Sequence, residues 1–267
     1  MNSLKALMDL HGRVALITGG AGHIGRAMAG ALAELGAGVV LLDLDAQAAT
    51  NLAAQIRFDY GVETLAVGVD LTDEAAVRTV PGIVLKQFGR LDILINNAAL
   101  VGTSELKGWG VPFDDQSAAT WRLAMEVNLT APFVLTQASR AALASSGHGS
   151  VINIGSIYGM VAPDMSLYAG TALGNPAAYS ASKGGLLQLT RWLSTVLAPD
   201  IRVNAITVGG VSRNQGAAFQ ERYISRTPLA RMATEQDLIG AVAYLASDLS
   251  AYVTGHNLVV DGGWTAW

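Results

Sequence analysis

Short apolar runs rich in β-branched residues alternate with longer amphipathic stretches from one end of the chain to the other. The apolar runs predict strands at residues 14–17, 39–42, 64–69, 93–96, 150–154, 202–207 and 258–260. The stretches between them predict helices at residues 26–35, 46–58, 74–88, 118–144, 178–197 and 235–245. Such alternation is typical of an α/β fold, here a doubly wound parallel sheet of about seven strands with helices on both faces.

Two long stretches fit neither pattern. Residues 100–117 and 209–234 each follow a predicted strand, and ligands bind at the carboxyl ends of the strands in sheets of this type. Both stretches are longer than ordinary connections, so we interpret them as substrate loops, with plain connection as the alternative. No linker or low-complexity stretch divides the sequence, and residues 1–267 are expected to form a single domain.

The first predicted strand runs directly into a glycine-rich turn with the sequence TGGAGHIG at residues 18–25. Gly20, Gly22 and Gly25 satisfy the G-x-G-x-x-G pattern, and an alanine-rich helical stretch follows them. Glycine lets the backbone approach a pyrophosphate, and the start of a helix offers free N–H groups and a positive dipole end. The turn therefore predicts a Rossmann-like dinucleotide site; a tight turn without a ligand is the alternative.

Asp43 ends the second predicted strand, 21 residues after Gly22, close to the interval at which an acidic residue binds the adenosine ribose. A carboxylate at this place accepts hydrogen bonds from ribose hydroxyls and repels a 2′-phosphate. No arginine or lysine follows in residues 44–47 to hold such a phosphate. The pattern therefore favours NAD(H) over NADP(H), unless Asp43 is an ordinary carboxylate at a strand end.

Tyr179 and Lys183 are four residues apart in a predicted helix, which places both side chains on one face. A free tyrosine has a pKa of about 10, too high for a base at neutral pH. A nearby cation favours the phenolate and lowers that pKa. The two residues are therefore a candidate proton-transfer pair, although this spacing alone is common in helices.

Composition excludes several kinds of function. The chain has no cysteine, so disulfide and thiolate chemistry are impossible, and a net charge of −4 without a basic patch argues against nucleic acid. The four histidines show no ligand spacing, and no metal is expected. No apolar run approaches the length of a membrane helix, and the first ten residues lack the features of a signal peptide. We expect a cytoplasmic protein that binds no membrane.

Taken together and in order, the motifs resemble the short-chain dehydrogenase/reductase family in its single-domain branch. The resemblance runs from Gly12 to Gly263. Beyond the glycine turn, the matching segments are VDLT at 69–72, NNAA at 96–99, VNL at 127–129, IGS at 154–156, YSASK at 179–183, YVTG at 252–255 and VDGG at 260–263.

The resemblance implies a catalytic set of four residues. Tyr179 would be the general acid/base, and Lys183 would lower its pKa and bind the nicotinamide ribose. Ser156 would hydrogen-bond the substrate oxygen, and Asn128 would organise a water that leads protons from Lys183 to solvent. Asp70 would contact adenine. The full set implied to bind NAD is Gly19, Gly22, His23, Ile24, Gly25, Asp43, Asp70, Leu71, Asn97, Ala98, Tyr179, Lys183, Gly209 and Val211.

Several positions depart from the family pattern. Gly19, Gly22 and Gly25 also fit the glycine spacing of the extended branch, which includes sugar-nucleotide epimerases. His23 stands where the single-domain branch more often has glycine. It either packs against the adenosine or a phosphate, or is simply tolerated in the turn.

Ser156 and Tyr179 are 23 residues apart, about ten more than is usual in the family. Tyr168 lies at the usual interval, but position 172 is alanine rather than lysine, which makes Tyr168 a poor catalytic candidate. We interpret residues 166–176 as an insertion over the active site, with Tyr158 and Tyr168 as candidate substrate contacts. A surface bulge is the alternative.

The loop after the sixth strand also differs from the family. Val208 replaces a proline whose ring would fix the backbone, so the cofactor loop is expected to be looser. Arg213 replaces a threonine that commonly clamps the nicotinamide amide. With Asn214 and Gln215 it forms a polar stretch that either binds a hydroxyl-rich or anionic substrate or is a solvated loop.

The leading functional hypothesis is an NAD(H)-dependent alcohol dehydrogenase or ketoreductase acting on a small secondary alcohol, such as a polyol or sugar derivative, or on its ketone. The second is an epimerase or dehydratase of the extended branch, although little chain follows Lys183 to build a substrate domain. The third is a non-catalytic NAD-binding regulator. The resemblance also implies a homotetramer or dimer formed through the helices that begin near Ala118 and Ala178. High apolar content, 51% against 14% charged residues, agrees with surface buried in an oligomer.

Overall fold

The computed structural model describes residues 3–102, 104–171 and 173–267. Its strands are β1 (Val14–Thr18), β2 (Gly38–Asp43), β3 (Thr64–Gly68), β4 (Ile93–Asn96), β5 (Gly149–Ser156), β6 (Ile201–Val208) and β7 (Asn257–Val260). They form one seven-stranded parallel sheet in the order β3-β2-β1-β4-β5-β6-β7. The predicted α/β, Rossmann-like fold is confirmed.

Helices cover both faces of this sheet. They are α1 (Leu4–Met8), α2 (His23–Glu34), α3 (Ala46–Tyr60), α4 (Glu74–Phe88), α5 (Ala118–Met125), α6 (Ala131–Ser145), α7 (Ala177–Val196), α8 (Ala217–Ser225) and α9 (Gln236–Ala246). Side chains of β1 alternate between the two cores. Ala15 and Ile17 pack with α2, α3 and α9, whereas Val14 and Leu16 pack with α4, α6 and α7. The alternation follows from the period of two along a strand.

The helix boundaries follow local capping chemistry. Asp45 and Asp73 accept hydrogen bonds from backbone N–H groups in the first turns of α3 and α4. Gly61 and Gly89 end the same helices in the left-handed conformation that glycine adopts without strain. These signals explain why the predicted helices at 46–58 and 74–88 agree with the structure to within two residues.

Three predicted elements need correction. The helix predicted at 118–144 is interrupted by a π-helical segment, Glu126–Thr130, between α5 and α6. The stretch 209–234 is not irregular throughout, because it contains α8. This helix is short and buries only Phe219 and Tyr223, which leaves too weak a periodicity to detect in the sequence. The helix after the glycine turn begins at His23 rather than at residue 26.

Among the described residues, no helix combines the length and the apolar character needed to cross a bilayer. Several large side chains remain exposed on the helices implied to form a subunit interface: Trp121 on α5, Phe133 on α6 and Trp192 on α7. A homotetramer or dimer stays a prediction.

Candidate active site

The strand order reverses between β1 and β4, and the carboxyl ends of the strands beside this point open into a cleft. One part, which we call the central cavity, has a volume of about 280 Å³ and is lined by Ser156, Tyr179 and Lys183, among others. A second part, the glycine groove, runs along Gly19, Gly22 and His23. Both parts share Ile24 and Asn97, so they are continuous.

The glycine turn has the shape that a dinucleotide needs. Gly19 has a φ of +61°, and a Cβ on Gly25 would lie 2.1 Å from the Gly19 carbonyl oxygen, so neither position tolerates a side chain. Gly22 is the N-cap of α2 and offers no side chain to the first N–H groups of that helix. The groove thus presents close backbone and free donors, which fit a pyrophosphate. The His23 side chain is exposed at its edge.

Asp43 is the last residue of β2, and its carboxylate lies against the glycine turn. Its Oδ2 accepts a hydrogen bond from the Ala21 N–H at 2.9 Å, and its Oδ1 accepts one from the Asp45 N–H at 3.1 Å. The carboxylate therefore supports the turn and remains partly exposed beside it. This position is compatible with the predicted contact to an adenosine ribose.

Asp70 and Leu71 follow β3 and do not line either part of the cleft. The Asp70 Oδ1 accepts hydrogen bonds from the Thr72 backbone N–H and hydroxyl, and these lower the pKa of the carboxyl group. The side chain of Asp70 thus caps its own turn. An adenine contact there stays a prediction.

Asn97 and Ala98 connect the end of β4 to the glycine turn. The Asn97 side-chain amide donates to the carbonyl oxygens of Thr18 and Gly19, at 2.9 and 3.1 Å. The backbone N–H groups of Asn97 and Ala98 both donate to the Thr18 hydroxyl, at 3.0 Å. These bonds fix the floor of the cleft at the point where the strand order reverses.

Ser156, Tyr179 and Lys183 come from two elements and meet in the central cavity. Ser156 is the last residue of β5, and Tyr179 and Lys183 lie one turn apart near the start of α7. The Lys183 Nζ is 6.0 Å from the centre of the Tyr179 ring and donates a 2.7 Å hydrogen bond to the Ile154 carbonyl oxygen. The structure therefore brings these three predicted catalytic residues together.

Burial dominates the electrostatics of this group. It raises the pKa of Tyr179, while hydrogen bonding with Ser156 acts in the opposite direction. Burial also lowers the pKa of Lys183 to about 8. In the protein alone, Tyr179 is therefore a neutral proton donor at neutral pH. Its phenolate form requires further positive charge nearby.

We expect Lys183→Met to stabilise the cofactor-free protein at pH 7 by about 2 kcal/mol. The ordinary pKa of 10.5 falls to about 8 in the folded state, and each unit is about 1.4 kcal/mol. Loss of the bond to the Ile154 carbonyl offsets about 1 kcal/mol of that. Because the folded state binds its proton more weakly, the cost of the buried charge is complete below pH 8 and disappears as the pH rises to 10.5.

Urea unfolding at pH 7 and pH 10 measures this effect. The stability gain of Lys183→Met should shrink at the higher pH, whereas Lys86→Met, at an exposed position on α4, should show no such change. A stability difference for Lys183→Met that is the same at both pH values would contradict the expectation.

Asn128 lies in the π-helical segment and is buried behind the cavity rather than in its wall. Its Oδ1 accepts from the Leu100 N–H at 2.7 Å, and its Nδ2 donates to the Leu100 carbonyl at 3.0 Å and to the Ser182 hydroxyl at 3.1 Å. The π segment is a local widening of the helix at this residue. Asn128 thereby connects the loop after Leu100 to α7; its role in ordering a water stays a prediction.

The insertion at 166–176 is packed against the cavity; Ala172 lies outside the described residues. Leu167 is buried with Phe219, Tyr223 and Trp264 in an aromatic cluster. Arg222 on α8 donates to the carbonyl oxygen of Ala169 at 2.6 Å. The insertion and α8 therefore form one packed wall, and Tyr158 and Tyr168 both line the cavity.

Phe219, Tyr223 and Met232 also line the central cavity, and sequence reasoning missed all three. Phe219 and Tyr223 are four residues apart and stack with ring centres 6.0 Å apart. This spacing of two aromatic residues in a stretch otherwise rich in polar residues was the available signal for a cavity wall.

The loop after β6 is held at several points. The Gly209 N–H donates to the Val260 carbonyl at 3.0 Å, and the Gly210 N–H donates to the Tyr223 hydroxyl at 2.5 Å. Gly209 and Val211 both line the cavity. The loop is thus anchored to β7 and α8 although Val208 replaces the family's proline.

Arg213 lies where the glycine groove meets the central cavity. Its guanidinium forms a salt bridge with Glu235 and donates to the Ser212 carbonyl at 2.9 Å. The charge of Arg213 is therefore already paired inside the protein.

Comparisons with known proteins agree with this geometry. Residues 19–265 match a family model described as enoyl-(acyl carrier protein) reductase, one of the models of the short-chain dehydrogenase/reductase family. The chain is 36% identical to cis-4-hydroxycyclohexanecarboxylate dehydrogenase of Sinomonas cyclohexanicum, over 95% of this chain and 97% of that protein.

Solved structures are similar over almost the full length. A gluconate 5-dehydrogenase from Burkholderia cenocepacia J2315, in complex with NADP and tartrate, has a TM-score of 0.88 and 32% identity, covering 99% of this chain and 100% of that one. NAD+-bound xylitol dehydrogenase has a TM-score of 0.82 and 30% identity, covering 95% and 99%. The chain therefore belongs to the short-chain dehydrogenase/reductase family of oxidoreductases.

Proposed function

We propose that this protein is an NAD(H)-dependent dehydrogenase that interconverts a secondary alcohol and its ketone, with Tyr179 as general acid/base. The observation that carries the proposal is the convergence of Ser156, Tyr179 and Lys183 in a cavity continuous with the glycine groove. A phenol, a hydroxyl and an ammonium at one point suit proton transfer to or from a single oxygen atom.

Each of the three side chains has a distinct task in this proposal. Tyr179 takes the proton of the alcohol during oxidation and returns it to the carbonyl oxygen during reduction. Ser156 donates a hydrogen bond to the same oxygen as charge develops on it. The buried ammonium of Lys183 favours the phenolate of Tyr179, and the Ile154 carbonyl holds this ammonium in place. When bound, the nicotinamide supplies the two-electron chemistry.

NAD rather than NADP is supported by the carboxylate of Asp43 beside the glycine turn. The next residue, Leu44, is 74% exposed and carries no charge that would hold a 2′-phosphate. A negative charge at this point repels that phosphate and accepts hydrogen bonds from ribose hydroxyls.

The size and lining of the central cavity support a small substrate. Its volume is about 280 Å³, and aromatic side chains from α8 and the insertion close one side. The similar proteins are named for a hydroxylated ring acid, gluconate and xylitol, which are compact alcohols. A cyclic alcohol or polyol is therefore the substrate class that we propose.

An epimerase of the extended branch is not favoured. The similar proteins named above are dehydrogenases, and this chain covers almost their whole length. A non-catalytic regulator would not need three proton-transfer side chains in one cavity.

The test is formation of NADH, followed at 340 nm, with a panel of cyclic alcohols, polyols and simple secondary alcohols, and with NAD and NADP in parallel. Turnover of at least one alcohol with NAD is expected. Binding of NAD without turnover of any alcohol, or of any matching ketone with NADH, would contradict the proposal and support the other two functions.

A further inference from the structure

Two phenols from separate elements meet in the wall of the central cavity. Tyr158 follows Ser156 by two residues, Tyr168 belongs to the insertion, and their hydroxyl oxygens are 2.8 Å apart. Both residues line the cavity together with Tyr179. We call Tyr158 and Tyr168 the phenol pair. Around it the wall is largely apolar, with Leu173 and Phe219 among its residues.

A short chain of hydrogen bonds orients the phenol pair. The Ser180 hydroxyl donates to the Asn175 Oδ1 at 3.2 Å, which directs the amide nitrogen of Asn175 away from Ser180. That nitrogen donates to the Tyr168 hydroxyl oxygen, also at 3.2 Å. Asn175 is therefore a donor to Tyr168 and accepts no hydrogen bond from either phenol.

The phenol pair has one more proton than it has acceptors for within the pair. Its two hydroxyls carry two protons, and one of these forms the bond between the phenols. The other has no acceptor within the described parts of the chain. This proton is therefore available to an oxygen of a ligand in the cavity, and a hydrogen bond of this kind contributes about 0.5–1.5 kcal/mol. Burial, with a smaller contribution from Tyr168, raises the pKa of Tyr158, so this residue stays a neutral hydroxyl at physiological pH.

The charges in the cavity wall determine whether a neutral or an anionic ligand oxygen is favoured beside the phenol pair. Lys183 and Arg213 are the charged side chains among the described residues of the cavity wall. Lys183 donates to the Ile154 carbonyl and Arg213 is paired with Glu235, so both charged groups already have partners within the protein. A carboxylate or phosphate beside two neutral phenols would lose its hydration without gaining a counter-charge. A hydroxyl or carbonyl oxygen would lose much less.

We propose that the phenol pair binds a second, neutral oxygen of the substrate, so that the preferred substrate is a diol or hydroxyketone rather than a simple alcohol or a hydroxy acid. This inference rests on the proposed dehydrogenase function. It assigns Tyr158 and Tyr168 as specificity residues and leaves proton transfer to Tyr179.

Steady-state kinetics with NAD tests the inference. The substrates are cyclohexanol, the 1,2-, 1,3- and 1,4-cyclohexanediols and 4-hydroxycyclohexanecarboxylate, and the proteins are the parent, Tyr168→Phe, Tyr158→Phe and, as control, Tyr60→Phe on α3. We expect kcat/KM for the best diol to exceed that for cyclohexanol by about tenfold or more, because a site built to bind a hydroxyl discriminates against its absence. Because either hydroxyl can be the donor of the bond between the phenols, at least one of Tyr168→Phe and Tyr158→Phe should remove most of this ratio, by lowering kcat/KM for the diol more than that for cyclohexanol. Tyr60→Phe should leave the ratio as it is.

The possible outcomes distinguish failure of the inferred diol preference from failure of the proposed dehydrogenase function. Turnover of cyclohexanol without preference for any diol, a preference that survives both Tyr168→Phe and Tyr158→Phe, or preference for the carboxylate would each overturn the inference alone. Absence of turnover with every compound, in protein that binds NAD, would overturn the proposed function and this inference with it. Thermal unfolding of the variants identifies any that are misfolded, and Tyr158→Phe provides the second, independent removal of one phenol hydroxyl.

Discussion

Replacement of Tyr179 by phenylalanine is expected to lower kcat/KM for alcohol oxidation by about a thousandfold or more. The change removes one oxygen atom from a side chain in the central cavity and leaves the ring that packs near Lys183. General acid–base groups contribute about 10²- to 10⁴-fold to rates. Substrate and NADH binding should change little, because the ring and the cavity wall remain. The measurements are NADH formation for the rate and fluorescence titration for NADH binding.

The pH dependence of kcat/KM also tests the role of Tyr179 as general acid/base. Burial raises the pKa of Tyr179 in the protein alone, so the phenol is mostly protonated at neutral pH. Its deprotonated fraction grows as the pH increases. In the parent enzyme, kcat/KM for oxidation should therefore rise towards alkaline pH, and kcat/KM for reduction, which needs the protonated form, should fall. A Tyr179→Phe variant that keeps a tenth or more of the parent activity would show that another group transfers the proton. Tyr60→Phe, distant from the cleft on α3, is the matched control.

The parts of this site that the sequence predicted are those that the strands position. Ser156 ends β5, Asp43 ends β2 and Asn97 follows β4, so recognising the strands also placed these residues at one edge of the sheet. The glycine turn is constrained by its own backbone, as the 2.1 Å approach at Gly25 illustrates. Local pattern and the rule for parallel sheets were sufficient for Asp43 and the glycine turn, whereas Ser156 and Asn97 were identified through the family resemblance.

The parts that the sequence did not predict depend on contacts between distant segments. Helix α8 is held by the packing of Phe219 and Tyr223 on the insertion and by bonds from Arg222, none of which a local period reveals. The π-helical segment at Asn128 accompanies the bonds that this residue makes with Leu100, 28 residues earlier. The sequence indicates Tyr158 and Tyr168 as candidate substrate contacts, but their pairing depends on the fold of the insertion.

The double variant Asp43→Asn, Leu44→Arg is expected to reverse the cofactor preference from NAD to NADP. Asparagine retains one oxygen, which can accept from the Ala21 N–H and so keep the bond to the glycine turn, while the charge and the acceptor for the Asp45 N–H are removed. Arginine at the exposed position 44 supplies a planar fork that suits a 2′-phosphate. A lost charge-assisted bond to the ribose and a new one to phosphate are each worth about 1.5–3 kcal/mol.

These two contributions sum to about 4 kcal/mol, so the ratio of kcat/KM for NAD to that for NADP should change by about a thousandfold. The ratio is measured with one alcohol and both cofactors, so that effects on the chemical step cancel. Asp45→Asn is the control, because Asp45 lies two residues away and caps α3 through the Ala48 N–H. An unchanged ratio in the double variant, or a parent enzyme that already prefers NADP, would show that Asp43 only supports the turn. In that case another group at the edge of the sheet must distinguish the 2′-hydroxyl of the adenosine ribose from a 2′-phosphate.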